Sequence, residues 1–213
     1  MTNDLSRHLA AIQEEMASRP KGLQEHTRRV AKEAIALAAF WDVDPARVEL
    51  ASWIHDLFRH LPREEQLRQA REVGIEPTPD DEVDPIVLHG PSAARAARYR
   101  FGISDDEVLQ AVAAHTLGIP QMPQVAKILL LADKVEPAKR KKRPAMKAIR
   151  KLARRDLDLA LLCWSDWSWY QARENGWVMH PESWQARDAW VREHHIDRGG
   201  PLSIAGAAVE YDN

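Results

Sequence analysis

Histidines and aspartates lie on the apolar rows of the predicted helices, and this placement limits how the chain can fold. Across residues 23–41, apolar side chains recur at spacings of three and four, the period of an amphipathic helix, and His26 lies in the same row. A second predicted helix has Asp44 as its N-cap and Pro45 as its first residue, and its apolar row includes His55. Burying such a group costs free energy unless it is paired or binds a metal.

The composition favours helices throughout the chain. There are 31 Ala and 20 Leu, against 28 Val, Ile and Thr together and 9 Gly. Alanine and leucine lose little side-chain freedom in a helix, whereas β-branched residues suit strands. The length of 213 residues is enough for one large domain or two small ones. We predict an all-α fold.

Proline and capping signals divide the rest of the chain. Residues 76–85 are acidic and rich in proline, which predicts a surface loop. Residues 104–107 have the Ser and Glu spacing of a capping box, and the helix that follows carries His115 on its apolar row. A later helix is ended by Pro137 and has Asp133 on its apolar row.

Charge and cysteine content exclude several classes of protein. Lys and Arg total 30 and Asp and Glu total 32, and a net charge of -2 argues against a chain that is basic throughout and coats nucleic acid or anionic lipid. Cys163 is the only cysteine, so neither an internal disulfide nor a cysteine-rich metal site can form. The longest apolar run, residues 34–41, is far too short to span a bilayer, and the first residues lack the order of a signal peptide. We expect a cytoplasmic protein that does not associate with membranes.

Several ionisable residues on apolar rows form an ordered set. They are His26, His55, Asp56, His89, His115 and Asp133. Each alone is typical of a hydrogen-bonded core residue or a helix cap, but burying all of them is costly without a shared ligand. Imidazole and carboxylate ligands without thiolate suit Fe(II), Mn(II) or Zn(II). Because adjacent residues on a helix point about 100° apart, His55 and Asp56 reach one ion only at a seam between helices, which predicts a metal site there.

The order His, His-Asp, His, His, Asp resembles the HD-domain metal-dependent phosphohydrolases, an all-α superfamily. The flanking residues are similar in particular to the YqeK family of symmetrical diadenosine tetraphosphate hydrolases. The stretches that carry this similarity are His26-Thr-Arg-Arg-Val30, Trp53-Ile-His-Asp56, Leu88-His-Gly-Pro91, Phe101-Gly-Ile-Ser-Asp-Asp-Glu-Val108, Ala114-His-Thr-Leu-Gly118 and Leu131-Ala-Asp-Lys-Val-Glu-Pro137. The similarity covers about residues 23–195.

The resemblance implies one HD-domain helical bundle with a metal site between its helices. The residues that would hold an iron ion, as Fe2+ or Fe3+ or replaced by Mn2+ or Zn2+, are His26, His55, Asp56 and Asp133. A second metal ion could be held with the help of His89 and His115, which would otherwise face the phosphates. The implied segments are an N-terminal helix or arm (1–22), the HD core (23–140), C-terminal helices packed on the core (141–195) and a flexible tail (196–213).

The implied reaction is hydrolysis of diadenosine tetraphosphate, a nucleotide substrate, to two ADP. The residues implied to be catalytic are Asp56, which would orient the attacking water or accept its proton, and His89 and His115, which would stabilise charge on the phosphates. The residues implied to bind substrate are Leu23, Arg59, His89, His115, Thr116, Lys139 and Arg140. The family usually has Lys at position 59 and Arg at position 139, and Arg140 is a candidate to replace that arginine.

Other interpretations fit parts of the sequence. The same metal ligands would serve a phosphohydrolase that acts on another nucleotide or phosphate ester, and a non-catalytic nucleotide-binding regulator is a third alternative. Residues 139–155 contain ten Lys or Arg and no acid. We interpret them as a solvated segment that begins beside the substrate phosphates, and not as a nucleic-acid site, because aromatic residues are not interleaved. Six of the eight Trp lie at 164–190, where we expect core packing or the surface of a homodimer.

Overall fold

The protein is helical over residues 2–197, the part of the chain that the computed structural model describes, and no strand occurs there. The helices are α1 (Thr2–Ala17), α2 (Lys21–Ala38), α3 (Pro45–Ile54), α4 (Arg63–Glu72), α5 (Pro79–Val83), α6 (His89–Phe101), α7 (Asp106–Ala114), α8 (Gln124–Val135), α9 (Pro137–Lys142), α10 (Ala145–Ala153), α11 (Leu157–Asn175) and α12 (Pro181–Val191). A 3-10 turn (Pro85–Leu88) precedes α6, and a π-helical turn (Arg192–Asp197) follows α12. The all-α prediction is confirmed. The predicted tail, 196–213, lies outside the described residues except for its first two.

Helix α8 lies at the centre of the bundle. It packs against α2, α3, α7, α10 and α11, and its residues Leu129, Leu130 and Leu131 are fully buried. Helix α1 packs on α3 and buries Ile12 and Met16 in the same core. The helices that supply the ionisable set are thus joined in one network of contacts, in which α8 packs on α2, α3 and α7, and α6 packs on α3 and α7. None of the described helices is both long and apolar enough to cross a membrane.

Local signals set the helix boundaries, with two departures from the sequence prediction. Asp44 caps α3 as predicted, accepting a hydrogen bond from Ala46 N at 2.9 Å. The prediction of a capping box at 104–107 is wrong, because Asp105 is the N-cap of α7 and accepts hydrogen bonds from the amides of Glu107 and Val108. The carboxylate of Asp105 is also held by Arg47 at 2.8 Å, a partner far away in the sequence.

The acidic segment 76–85 is more ordered than the loop that we predicted. It contains α5 and the start of the 3-10 turn, because Thr78 and Asp81 form a reciprocal capping box. The Asp81 carboxylate accepts from Thr78 N at 2.8 Å, and Thr78 Oγ1 accepts from Asp81 N at 3.2 Å. Carboxylates near a helix N-terminus also stabilise it through the helix dipole.

The C-terminal helices are joined to the bundle through Trp190. Its side chain is buried, and Nε1 donates to the Ile119 carbonyl oxygen at 2.9 Å. Gly118 has a φ of 78°, and a Cβ there would lie 2.6 Å from the Trp190 ring. Only glycine fits this position, because it tolerates both the left-handed backbone and the close approach. Of the other tryptophans in this region, Trp177 is exposed and four are half-buried.

We predict that Gly118→Ala lowers the free energy of unfolding by about 2–4 kcal/mol, because it combines left-handed strain with a clash against Trp190. Gly74→Ala is the matched control, since Gly74 has a φ of 79° with nothing within 4 Å of the added Cβ. That variant should lose about 1–2 kcal/mol from strain alone. Urea denaturation measures both, and equal losses would contradict the role assigned to the Trp190 contact.

Candidate metal centre

Three buried histidines are held at helix ends in the same way. His55 caps the C-terminus of α3, where its Nδ1 donates to the Ser52 carbonyl oxygen at 2.6 Å. His115 caps α7, where Nδ1 donates to the Val112 carbonyl oxygen at 2.7 Å. His89, the first residue of α6, makes the same contact three residues back. Since a carbonyl oxygen can only accept, Nδ1 carries the hydrogen, and the Nε2 of each neutral ring presents a lone pair.

These lone pairs converge on the carboxylate of Asp56. Its Oδ1 lies 3.0 Å from His89 Nε2 and 3.6 Å from His115 Nε2. Its Oδ2 lies 3.4 Å from His55 Nε2 and 3.5 Å from His26 Nε2. Asp56 and three of the four imidazoles are completely buried, and His26 is nearly so.

The cluster consists of acceptors that lack donors. His55 Nε2 and both Asp56 oxygens are buried without a hydrogen-bond partner among the described residues. His89 Nε2 and His115 Nε2 lie 3.0 Å apart, with a lone pair on each neutral ring. Such an arrangement is costly unless positive charge, from protons or a metal ion, lies between the acceptors. The donor set of imidazole nitrogens and carboxylate oxygens therefore fits a metal of the iron, manganese or zinc type.

Two groups of ligand atoms have the compactness that a metal ion requires. His26, His55 and Asp56 form one group, and Asp56, His89 and His115 form the other, with ligand atoms within 4.8 Å of one another in each. Asp56 belongs to both groups. The arrangement could hold two neighbouring ions with the Asp56 carboxylate between them.

Asp133 lies beside these groups with its carboxylate engaged by lysines. Its Oδ1 is 3.0 Å from His26 Nε2 and accepts from Lys139 Nζ at 2.6 Å. Its Oδ2 accepts from Lys134 Nζ at 2.8 Å. Burial alone would raise the pKa of Asp133, but Lys134 and Lys139 hold it well below its usual value. The carboxylate is therefore ionised at the edge of the cluster, as a ligand must be.

Burial and neighbouring charges set the protonation of the central residues. Burial would raise the pKa of Asp56, but the neighbouring His55, together with His115 and His89, holds it well below its usual value. Burial would lower the pKa of His55, but the Asp56 and Asp133 carboxylates raise it. Burial, together with the other imidazoles, lowers the pKa of His115 to about 3. His115 is therefore neutral at physiological pH and available as a ligand.

Glu136 supports this centre although the sequence analysis did not single it out. The residue is buried, and its Oε1 lies 3.5 Å from His26 Nδ1. Its Oε2 accepts from Arg29 Nε and from Ala138 N, both at 2.8 Å. The sequence signal that could have identified Glu136 as a candidate is its position three residues after Asp133. Because Nδ1 faces a carboxylate, His26 can present Nε2 in the same way as the other three histidines.

A pocket of about 310 Å³ opens beside the cluster. The residues that line it are Pro20, Gly22, Leu23, His26, Asp56, Arg59, His60 and Lys139. The structure thus brings together Leu23, Arg59 and Lys139, three of the predicted substrate-binding residues. Arg59 Nε lies 3.7 Å from Asp56 Oδ2. Thr116 does not line this pocket, and its Oγ1 lies 3.3 Å from His115 Nε2.

Arg140 is placed differently from the other predicted substrate-binding residues. Its Nη1 donates to Glu33 Oε2 at 3.0 Å, and it does not line the pocket. Glu33 is buried on α2 and also accepts from Arg150. The guanidinium of Arg140 therefore joins α9 to α2, while Lys139, the neighbouring residue, is the one that reaches the pocket.

Comparisons with known proteins agree with this geometry. Residues 23–138 match the family model of the HD domain. A Staphylococcus aureus protein named symmetrical bis(5'-nucleosyl)-tetraphosphatase is 35% identical over 122 residues, which are 56% of this chain and 61% of that protein. A Bacillus subtilis protein of the same name is 33% identical over 139 residues, which are 64% of this chain and 72% of that protein.

A solved structure shares the fold. It is a Clostridium acetobutylicum protein described as a predicted HD superfamily hydrolase involved in NAD metabolism. The TM-score is 0.81 at 28% sequence identity, and the match covers 86% of this chain and 97% of that one. The arrangement of helices around the cluster is therefore one that another solved protein also has.

We predict that Asp56→Asn reduces bound metal to background, because both groups of ligand atoms share this carboxylate. His26→Gln and His89→Gln each change one group only, and if two ions bind, each variant should keep about half of the metal. Elemental analysis of anaerobically purified protein measures this. Asp105→Asn is the control for loss of an aspartate, since Asp105 caps the N-terminus of α7, the end opposite to His115, and does not line the pocket. Full metal content in the Asp56 variant would overturn the assignment.

We predict that Glu136→Gln weakens metal binding roughly 10-fold, the usual effect of removing a carboxylate that supports a histidine ligand. Glu33→Gln is the matched control, because Glu33 is also a buried glutamate held by arginines but contacts no histidine. Titration of the metal-free proteins with Mn2+ gives both dissociation constants. Equal weakening in the two variants would mean that Glu136 acts only through the fold.

Proposed function

We propose that this chain, which belongs to the HD-domain family of metal-dependent hydrolases, splits diadenosine tetraphosphate symmetrically into two ADP. The observation that carries the proposal is the convergence of four imidazoles on the buried Asp56 carboxylate beside a pocket lined by Arg59 and Lys139. The names of the Staphylococcus and Bacillus relatives support the choice of substrate.

We infer that the centre holds iron, with manganese or zinc as substitutes, through His26, His55, Asp56 and Asp133. His89 and His115 would complete a second position. When bound, such an ion supplies positive charge to a phosphoryl oxygen and lowers the pKa of water. Asp133 can act as a metal ligand if Lys139 moves its ammonium group from the Asp133 carboxylate to the substrate phosphates. The Asp133 carboxylate is then available to the ion.

Asp56 is the residue proposed to accept the proton of the attacking water. Its carboxylate is ionised and lies where both ligand groups meet, so it can orient a water molecule and accept its proton. The water oxygen forms a bond to one of the two central phosphorus atoms. The bond from that phosphorus to the oxygen that bridges the two central phosphorus atoms breaks, and this oxygen leaves with the electron pair as part of one ADP. His115, with a pKa of about 3, remains neutral and does not compete for this proton.

The pocket residues are proposed to bind and neutralise the phosphate chain. Arg59 and Lys139 carry charge at the mouth and can pair with phosphate oxygens. Arg59 presents a planar donor fork that suits two oxygens at once, whereas Lys139 acts as a point charge. Leu23 gives the same pocket an apolar wall. Thr116 can donate its hydroxyl hydrogen to a phosphate oxygen from beside His115.

We predict that the iron-loaded protein converts diadenosine tetraphosphate to ADP as the only nucleotide product, and that Asp56→Asn lowers kcat by at least about 100-fold, because the variant lacks both the shared metal ligand and the proton acceptor. Chromatography of the products and anaerobic rate measurements test both statements.

The same panel separates the alternatives. Products of AMP and ATP would mean asymmetric cleavage, and phosphate released from mononucleotides in preference to the dinucleotide would mean another phosphohydrolase activity. Dinucleotide binding without turnover by the metal-loaded protein would indicate a regulator. Each of these results contradicts the proposed function.

A further inference from the structure

Exposed cations on α9 and α10 take no part in the site described above. We define the basic surface as these residues: Lys141, Lys142, Arg143, Lys147, Lys151, Arg154 and Arg155. None of them forms an ion pair with an acid in the described part of the chain. The buried face of α10, with Met146, Ile149 and Leu152, packs in the core, so the charged side chains all lie on the opposite, solvent side.

Several arginines on other helices are paired with acids. Arg47 binds Asp105 and Glu107, and Arg68 binds Glu65 and Glu72. The cations of the basic surface, in contrast, lie close together in the chain, and none of them has an acid partner among the described residues. With a net charge of -2, the chain holds a local positive field that its overall charge does not reveal.

The basic surface begins at the mouth of the pocket. Lys139 lines the pocket, and Lys142 follows it by three residues in α9, so the two side chains lie on the same face of the helix. Glu33 fixes the orientation of α9 and α10. This buried residue accepts hydrogen bonds from Arg140 on α9 and from Arg150 on α10. One acidic residue of α2 thus holds both helices of the basic surface.

The pocket is too small for the whole proposed substrate. Its volume of about 310 Å³ lies at the lower end of the range, roughly 300–1,000 Å³, for sites that enclose drug-sized ligands. A dinucleotide with two nucleosides and four phosphates must extend beyond it. Of the residues that line the pocket, Lys139 is the one that lies on α9, where the basic surface begins.

An arginine lies over one face of each of two aromatic rings beside the basic surface. Arg143 lies over the Trp167 ring at 5.3 Å and Arg154 over the Phe40 ring at 5.2 Å. Proteins that bind single-stranded nucleic acid combine cations with open aromatic faces on which bases stack. Because these arginines compete with bases for the rings, we assign recognition at this surface to charge.

We propose that the basic surface recognises the phosphate chain of the nucleotide substrate outside the pocket and selects for ligands with more phosphates. This inference rests on the proposed function. Lys142 contributes most, because it follows Lys139 by one turn on the same face of α9, and a charge acts over roughly 10 Å at about 0.1 M salt. Lys147, in the first turn of α10, contributes next. Lys151, Arg154 and Arg155 contribute less.

The test measures equilibrium binding of AMP, ADP and ATP to the Mn2+-loaded protein by calorimetry, at about 0.1 M and about 1 M salt. The variant Lys142→Glu/Lys147→Glu is compared with Arg95→Glu/Arg192→Glu. The control changes the net charge equally at two exposed arginines on α6 and after α12. Thermal denaturation confirms that both variants are folded.

We expect the preference for ATP over AMP to fall roughly 10-fold in the α9–α10 variant at low salt and to stay unchanged in the control, and we expect the difference between the two variants to vanish at high salt. An equal loss in both variants, or an unchanged preference in the first, overturns the proposal. Tighter binding of a single-stranded RNA than of ATP, lost in the same variant, also overturns it in favour of nucleic acid. Because binding needs no turnover, a protein that prefers ATP in this way but fails to hydrolyse the dinucleotide would refute the proposed function alone.

Discussion

The burial of the Asp56 carboxylate among four imidazoles is the constraint on which the rest of the structure depends. An ionised carboxylate without hydrogen bonds is expensive in a protein interior, and lone pairs on His89 and His115 that face each other add to that cost. Helices α2, α3, α6, α7 and α8 must pack closely enough to hold these groups within a few ångströms of one another. The core, with its fully buried leucines on α8, supplies that closeness. Positive charge bound in the cluster is what relieves the cost.

Helix ends make this arrangement specific. His55, His89 and His115 lie where a carbonyl oxygen three residues back can accept from Nδ1, so the backbone itself selects the tautomer. His26 lies inside α2 and has no such carbonyl, and the buried Glu136 takes its place. Gly118 and Trp190 then fix the segment that follows His115 and tie it to the C-terminal helices. The metal centre is thus supported from both halves of the chain.

Acids and cations are paired at the centre and between α2 and α9, but not on the exposed side of α9 and α10. The acids at the centre, Asp56 and Asp133, are ionised. Glu33 of α2 binds Arg140 of α9, and Glu136, the N-cap of α9, binds Arg29 of α2, so both pairs join α9 to α2. The packing that builds the centre therefore also places the exposed cations of α9 and α10. The pocket and the positive field of the basic surface are linked in this way.

The sequence by itself determined the helical class, most helix ends and the ionisable residues that come together around Asp56, because periodicity, caps and breakers act within a few residues. It also identified Leu23, Arg59 and Lys139, which the fold brings to one pocket. It could not distinguish Lys139 from Arg140 as the cation at the pocket, since Arg140 is drawn away by Glu33, a residue 107 positions earlier. Glu136, the cap at Asp105 and the approach of Trp190 to Gly118 likewise depend on partners distant in the chain. Only the tertiary structure decided these contacts, because a buried charge takes whichever partner packing places beside it.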